Sequence, residues 1–534
     1  MSSSSSSAGR AGNRRLAARF NQIRGDESNE GRRRRARRNR GREALGEWNH
    51  PIVGLTEDDV QRRIMLQSTI LSESSLKSYS CLLAKFVCFV AETDPFLLTD
   101  DLRLNIQGLP PNQWKRFAKD YYLTKPKPPS SMLKLDEISP SFVDWVSSMK
   151  KSDGESDMSS STYNSCRSAV ISLFTLFGVS SERFDREASQ IIRALKIVHS
   201  STAHEGIIRP QKGKTPLSFE NYCDLAKALM KSKDSSAVFS HAVLTTMWNL
   251  MSRVGNAVSI CKNHMEWRDD ALLIYFAHEK TDQTQSRPGD PRHIYANPYQ
   301  PAICPILSLG VFFLITDITS RADQHIFSGS NQYCRFHKSL KSRFADELSL
   351  GCSVAAYGTH SIRKGAATFV SSGTTSCPSF AAISLRAGWS MGGVTSAYIH
   401  YHAAGDQHVG RTVCGLNPLH PSFAVLPPQF VPDYDPKPLL RVLFSGFDSE
   451  TPEFQKVLSM TTASVIYHME WLKDHLEDAH PLFSTDLFRM VVDRPFSETV
   501  ESRVWKPGDV MRATGIPPHY LTRLKYQNPR KKNA

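Results

Sequence analysis

GTHSIRKGAATFVSSGTTSCPSFAAISLRAGWSMGGVTSAYIHY, residues 358–401, holds the densest group of chemically useful side chains in the chain. Gly358-Thr359 makes a turn and a helix start, so His360 and Arg363 fall in the first helical turn, three apart on one face. A helix N-terminus has unpaired backbone N–H groups, and an imidazole and a guanidinium beside it make an anion site. Periodicity predicts helices over 360–371, 379–387 and 394–402. Gly388-Trp389-Ser390 reads as a loop after the second of these. Tyr398 follows nine residues after Trp389, in the short third helix. Tyr401 comes one turn later on nearly the same face and reads as packing.

Upstream of this segment, helix signals run from Ser236 to about Leu250, and Arg253 follows in NLMSRVGNAVSI. ALLIYFA (271–277) predicts a short strand, and HIYA (293–296) a partner across a polar hairpin that holds Lys280 in AHEKTDQ. Further helices are expected over 305–317, about 335–349 and 453–476. From about 55 to 215 the pattern is helical. Leu76, Tyr79, Leu82, Leu83, Phe86 and Phe89 share one face of Ser75–Ala91. Tyr163, Cys166, Ala169, Val170, Leu173 and Leu176 do so in Ser159–Phe177, and Ile191, Ile192, Leu195 and Val198 in Asp185–Val198. We read these stripes as core packing. TKPKPPS (124–130) should be a loop, and GIIRPQKGKTP (206–216) a linker. The expected fold is therefore mainly α with a small β-sheet. Four segments are expected: a disordered Arg-rich tail (1–50), a helical domain (51–215), a mixed domain (216–425) and a helical C-terminal extension without a readable motif (426–534).

The charge is uneven. The net charge is +14, and residues 1–50 carry 13 Arg, no Lys and five acids, so more than half of the excess lies there. Arg32, Arg33, Arg34, Arg35, Arg37 and Arg38 form a block whose like charges repel and cannot be buried together. A solvated tail, a nuclear import signal and non-specific phosphate contact all fit it. The ten cysteines are scattered with no C-x-x-C pair, which argues against structural zinc and for a reducing compartment. Met1 and six serines offer no apolar core for a secretory signal. The longest apolar run, ILSLGVFFLI (306–315), is about half of what a membrane span needs.

In order and spacing, these residues resemble the tyrosine recombinase (integrase) family. The family signature is an Arg in an early helix, a Lys in a β-hairpin, H-x-x-R, then His or Trp, then a nucleophilic Tyr. Arg253, Lys280, His360, Arg363, Trp389 and Tyr398 match it in that order. The resemblance covers about 216–415 well and 55–215 weakly, the latter as a helical core-binding domain. HSIRKGAAT and LRAGWS look like recombinases of eukaryotic mobile elements of the Crypton type and their domesticated descendants.

The resemblance implies cleavage and rejoining of DNA by way of a 3′-phosphotyrosyl link formed by Tyr398, with no metal or other cofactor. Arg253 and Arg363 would offer paired donors to the phosphate as its negative charge grows. Lys280 would protonate the leaving 5′-oxygen, His360 would assist as acid or base, and Trp389 would donate its indole N–H. It further implies double-stranded DNA as partner, assembly as dimers to a tetramer on DNA, no membrane, and a nuclear site of action. One position departs from the pattern. The family often has an acid three residues after the first Arg, and here that residue is Asn256. Site-specific recombination or integration is the leading expectation, and a domesticated, catalytically silent DNA-binding or regulatory protein is the alternative. A type IB topoisomerase shares the chemistry but fits H-x-x-R and the preceding helical domain less well. No trio of carboxylates suggests a metal-dependent transposase.

Overall fold

The computed structural model describes residues 73–123, 133–151, 154, 158–176, 179–204, 213–276, 289–346, 356–389, 391–392, 398–491, 496–506 and 508–526. It is mainly α-helical with small antiparallel sheets. The chain divides into two compact units, Met1–Pro210 and Gln211–Ala534. The Arg block 32–38 lies outside the described residues, as does Lys280.

The first unit is helical: α1 (Glu73–Thr93), α2 (Asp100–Gln107), α3 (Pro111–Leu123), α4 (Ser139–Ser148), α5 (Ser160–Leu176) and α6 (Glu182–His204). The apolar stripes explain its packing. α1 lies against α3, α4 and α5, and α6 against α4 and α5. Leu83, Phe86, Tyr163, Cys166, Val170, Leu173 and Ile192 are buried in one core. Its aromatic centre places Phe86 against Trp145, with ring centroids 5.0 Å apart, and Phe142 against Phe184, also 5.0 Å apart. Val198 departs from the expected stripe. It is 58% exposed, because the stripe of α6 leaves the core after Leu195.

The second unit is built around α8 (Ser235–Leu250), which follows α7 (Phe219–Lys231). Every residue of α8 from Ala237 to Leu250 is buried. Its sequence is apolar or small all round, which suits a central helix rather than a surface one. Several of its polar groups bond internally, while Thr246 Oγ1 and Asn249 Oδ1 are buried without a hydrogen-bond partner among the described residues. The His241 ring nitrogens lie 2.7 Å from the Ala302 carbonyl and 2.9 Å from Ser308 Oγ, and Asn249 Nδ2 donates to the Thr245 carbonyl. After α8 come α9 (Val254–Val258) and an antiparallel sheet of β1 (Met265–Arg268), β2 (Ala271–Ile274) and β3 (Arg292–Ile294). Leu272 pairs with Ile294 and Ile274 with Arg292, so the hairpin read from sequence is present in shorter form. β1, unread in the sequence, is held by its pairing with β2.

Helices α10 (Pro305–Thr316), α11 (Gln332–Asp346), α12 (Thr359–Ser372), α13 (Phe380–Arg386) and α14 (Ala403–Val413) follow. α7, α9, α10, α11, α12 and α14 all touch α8. The helix expected over 394–402 is corrected in its second half: Tyr398 is helical, Ile399–His402 are not, and residues 394–397 lie outside the described set. Tyr398 and Tyr401 therefore do not share a helix face. Downstream, His402 is extended and caps α14 by accepting from Ala404 N, so no helix can run through it.

β4 (Gln429–Phe430), α15 (Lys437–Leu443), α16 (Pro452–Tyr467), α17 (Met469–His475), α18 (Asp486–Val491), β5 (Val500–Glu501) and α19 (Pro518–Tyr526) complete the unit. Residues of this segment, set apart in the sequence as an extension, share one core with residues 217–413. α16 lies along α10 at very short range. A Cβ at Gly310 would stand 2.5 Å from the Thr461 carbonyl oxygen, so only glycine allows that crossing. The apolar run 306–315 is consumed by this packing, and no helix among the described residues is long and apolar enough to cross a membrane.

Candidate functional site

Arg253 stands where α8 ends. Met251 takes a left-handed conformation (φ 50°), which turns the chain out of the helix, and Arg253 is extended and caps α9. It is half-buried and precedes a helix rather than sitting inside one. Asn256, within α9, is also half-buried, and its carbonyl accepts from Ser259 Oγ at 3.1 Å.

α12 presents His360 and Arg363 in its first turns, as the sequence predicts, but in different surroundings. His360 is exposed and Arg363 is buried. The start of α12 is clamped by the preceding chain. Leu217 N donates to the Ser361 carbonyl at 3.0 Å, Thr215 N to the Ala356 carbonyl at 2.8 Å, and Lys364 Nζ to the Lys214 carbonyl at 2.6 Å. This contact depends on Gly365, where a Cβ would fall 2.0 Å from the Leu217 carbonyl oxygen.

Arg363 Nη2 donates to the Ala387 carbonyl, at the end of α13. There the chain closes a glycine-ended helix terminus: Gly388 has φ 63°, Gly388 N donates to the Leu385 carbonyl at 3.1 Å, and Trp389 N to the Ser384 carbonyl at 2.8 Å. Arg292, on β3, occupies the neighbouring carbonyls. Its Nε donates to Arg386 O at 2.9 Å and its Nη2 to Leu385 O at 3.2 Å. Two guanidinium groups thus cover the negative end of α13, and the turn bearing Trp389 is held from both sides.

Below this turn lies a buried polar group that sequence reading did not find. Arg386 Nη1 donates to Asp406 Oδ1 at 2.6 Å, and its Nη2 to the carbonyls of Asn249 (2.8 Å) and His293 (2.9 Å). Asp406 Oδ2 accepts from His293 N at 2.8 Å and lies 2.9 Å from His293 Nδ1. Burial alone would raise the Asp406 carboxyl, but the Arg386 charge and the His293 hydrogen bond outweigh it and hold it well below the usual carboxylate range. Arg386 was in view in LRAGWS, yet nothing near it in the sequence names its partners, which come from α8, β3 and α14.

The two tyrosines differ sharply. Tyr398 is 80% exposed. Tyr401 is half-buried, and its hydroxyl donates to the Pro291 carbonyl at 2.9 Å. Burial, reinforced by Asp406, pushes its hydroxyl far above the usual range, which disfavours a phenolate there. Trp389 is 36% exposed.

The hydrogen bonds therefore bring Arg363 to the turn of Trp389. They also join the end of α8, which leads into Arg253, to the end of α13 and the start of α14. Among the described residues, no three His, Cys, Asp or Glu side chains are grouped to hold a metal ion. No protein-family model matches the chain, and no curated protein matches it.

Proposed function

We propose that the chain is a tyrosine recombinase or integrase that cleaves and rejoins DNA through Tyr398. The observation that carries this reading is the contrast between the two tyrosines: Tyr398 projects into solvent, while the Tyr401 hydroxyl is tied to Pro291. In this reading Tyr398 Oη attacks the phosphorus and gives up its proton to water or to His360 as base, and the 3′-phosphotyrosyl bond forms as the bond to the 5′-oxygen breaks. The leaving oxygen takes a proton from Lys280, with His360 as supporting acid or base. Arg253 and Arg363 donate to the non-bridging oxygens, where charge builds up, and Trp389 adds its indole N–H. Of the five N–H donors on the Arg363 guanidinium, the Ala387 carbonyl engages one nitrogen, which orients the fork.

Double-stranded DNA is the proposed substrate. The first unit serves as the core-binding domain, chains assemble as dimers to a tetramer on DNA, and the Arg block 32–38 serves nuclear entry and phosphate contact. Asn256 favours a second reading. An amide at a position that is often acidic fits a domesticated protein that keeps the fold for DNA binding or regulation without turnover.

One assay separates the two readings. The protein and its Tyr398→Phe variant are incubated without Mg²⁺ with nicked duplexes drawn from DNA flanking the gene. A covalent protein–DNA band with the unmodified protein alone supports the recombinase. Tight DNA binding with no adduct on any duplex supports the silent module.

A further inference from the structure

Arg386, Asp406, Arg292 and His293 are all buried, and none of them belongs to the proposed strand-transfer set. Replacing such a buried ionic group by apolar residues often costs little or no stability. Its value lies instead in geometry. A planar guanidinium with donors in a fixed fork can satisfy acceptors from several segments only when those segments stand at set distances.

Arg386 does this for the Asn249 carbonyl on α8, the His293 carbonyl on β3 and the Asp406 carboxylate on α14. Arg292 does it for two carbonyls of α13. Three of these segments, α8, α13 and α14, flank a proposed functional residue. Asn249 is four residues before Arg253, Arg386 is three before Trp389, and Asp406 lies in the first turn of the helix entered from Tyr398.

We infer that Arg292, Arg386 and Asp406 are positioning residues that set the spacing between Arg253, Trp389 and the Tyr398 stretch. The inference rests on the recombinase reading above. None of the three touches DNA. They act through the backbone that carries the residues that do.

The test compares Arg292→Lys and Asp406→Asn with a control, Arg411→Lys. Arg411 is as deeply buried and pairs with Asp270, its guanidinium lies 4.4 Å above the Tyr295 ring, and its other partners are carbonyls of Phe423, Val425 and Thr514. Melting temperature, DNA affinity, and the single-turnover rate of adduct formation at saturating nicked duplex are measured for each. Arg292→Lys and Asp406→Asn are expected to slow adduct formation by on the order of 10- to 100-fold, since a misplacement of about 1 Å is enough for that. Their DNA affinity should stay within about threefold of the unmodified protein, as expected when only a transition-state interaction is lost. Arg411→Lys should lower the melting temperature and leave that rate within about threefold.

Arg292→Lys keeps the positive charge and carries the test if Asp406→Asn does not fold. Unmodified rates in both variants would overturn the inference. So would rates that fall in step with melting temperature across all three, because that is the mark of a purely structural role. An unmodified protein that forms no adduct on any duplex would refute the recombinase reading, and this inference with it.

Discussion

Replacing Gly365 with alanine should destabilise the second unit, against the helix propensity of the two residues. Gly365 lies inside α12, where alanine is ordinarily favoured by about 1 kcal/mol. The structure leaves no room for the added methyl. Its carbon would stand 2.0 Å from the Leu217 carbonyl oxygen, 2.9 Å from the Leu217 carbonyl carbon and 3.0 Å from the Trp248 ring. Carbon atoms settle at about 3.5 Å or more from their neighbours, so the 215–217 segment must retreat by roughly 1 Å or more. That movement strains the Leu217-to-Ser361 and Thr215-to-Ala356 hydrogen bonds, each worth about 1 kcal/mol. Overpacking adds about 1–3 kcal/mol. The net loss after the propensity gain is about 1–3 kcal/mol, a fall of several degrees in melting temperature for a unit of this size.

Gly255 in α9 is the internal control. A Cβ there meets nothing within 4 Å, and Gly255→Ala should stabilise by about 0.5–1 kcal/mol. Thermal melts followed by circular dichroism, with urea titrations, would measure both. If Gly365→Ala melted higher than the unmodified protein, the close approach of 215–217 to α12 would be wrong, and with it the account of how His360 and Arg363 are held.

Three further outcomes are expected. Tyr401→Phe should cost about 1 kcal/mol of stability, through the lost bond to Pro291, and still form adducts; Tyr398→Phe should be neutral in a melt and form none. A trapping gel beside a melt reads both, and the reverse pattern would make Tyr401 the nucleophile. Burial lowers His241 to about 4, so it is neutral when folded near neutral pH but protonates more readily unfolded. Its contribution is complete above about pH 6.5 and is lost as pH falls toward 4, up to about 3 kcal/mol. His468 acts in the same direction, and urea midpoints across that range should fall with acid. Binding to duplex DNA should weaken steeply with salt, and removing residues 1–50 should flatten the slope. A slope that does not change on truncation would take the Arg block out of the contact.

Much of the helical frame was legible because its cause is local. The stripes of Ser75–Ala91 and Ser159–Phe177 repeat at helical spacing over four or more turns, and such segments bury that face wherever the core lies. α8 and α10 were legible as well, as predominantly apolar runs long enough to form buried helices. β1 was not found, since four residues reading MEWR carry little periodicity and become a strand only by pairing with β2. Val198 and the 394–402 helix show the opposite error, a local pattern carried past the point where the tertiary structure stops using it.

The candidate site divides along the same line. His360 and Arg363 could be placed in one first turn from a glycine, a threonine and a spacing, since helix starts are set by adjacent residues. The chain's order of Arg, Lys, His, Arg, Trp and Tyr was likewise visible without coordinates. Spacing made Tyr398 and Tyr401 near equivalents. The chain's path past Pro291 made one half-buried and bonded and left the other exposed. Arg386 and Asp406 are further from prediction still. The partners of Arg386 lie 20, 93 and 137 residues away, and a charged side chain is buried only where such distant groups converge on it. Sequence determines what depends on neighbours along the chain; desolvation and long-range hydrogen bonding are decided only when the chain has closed on itself.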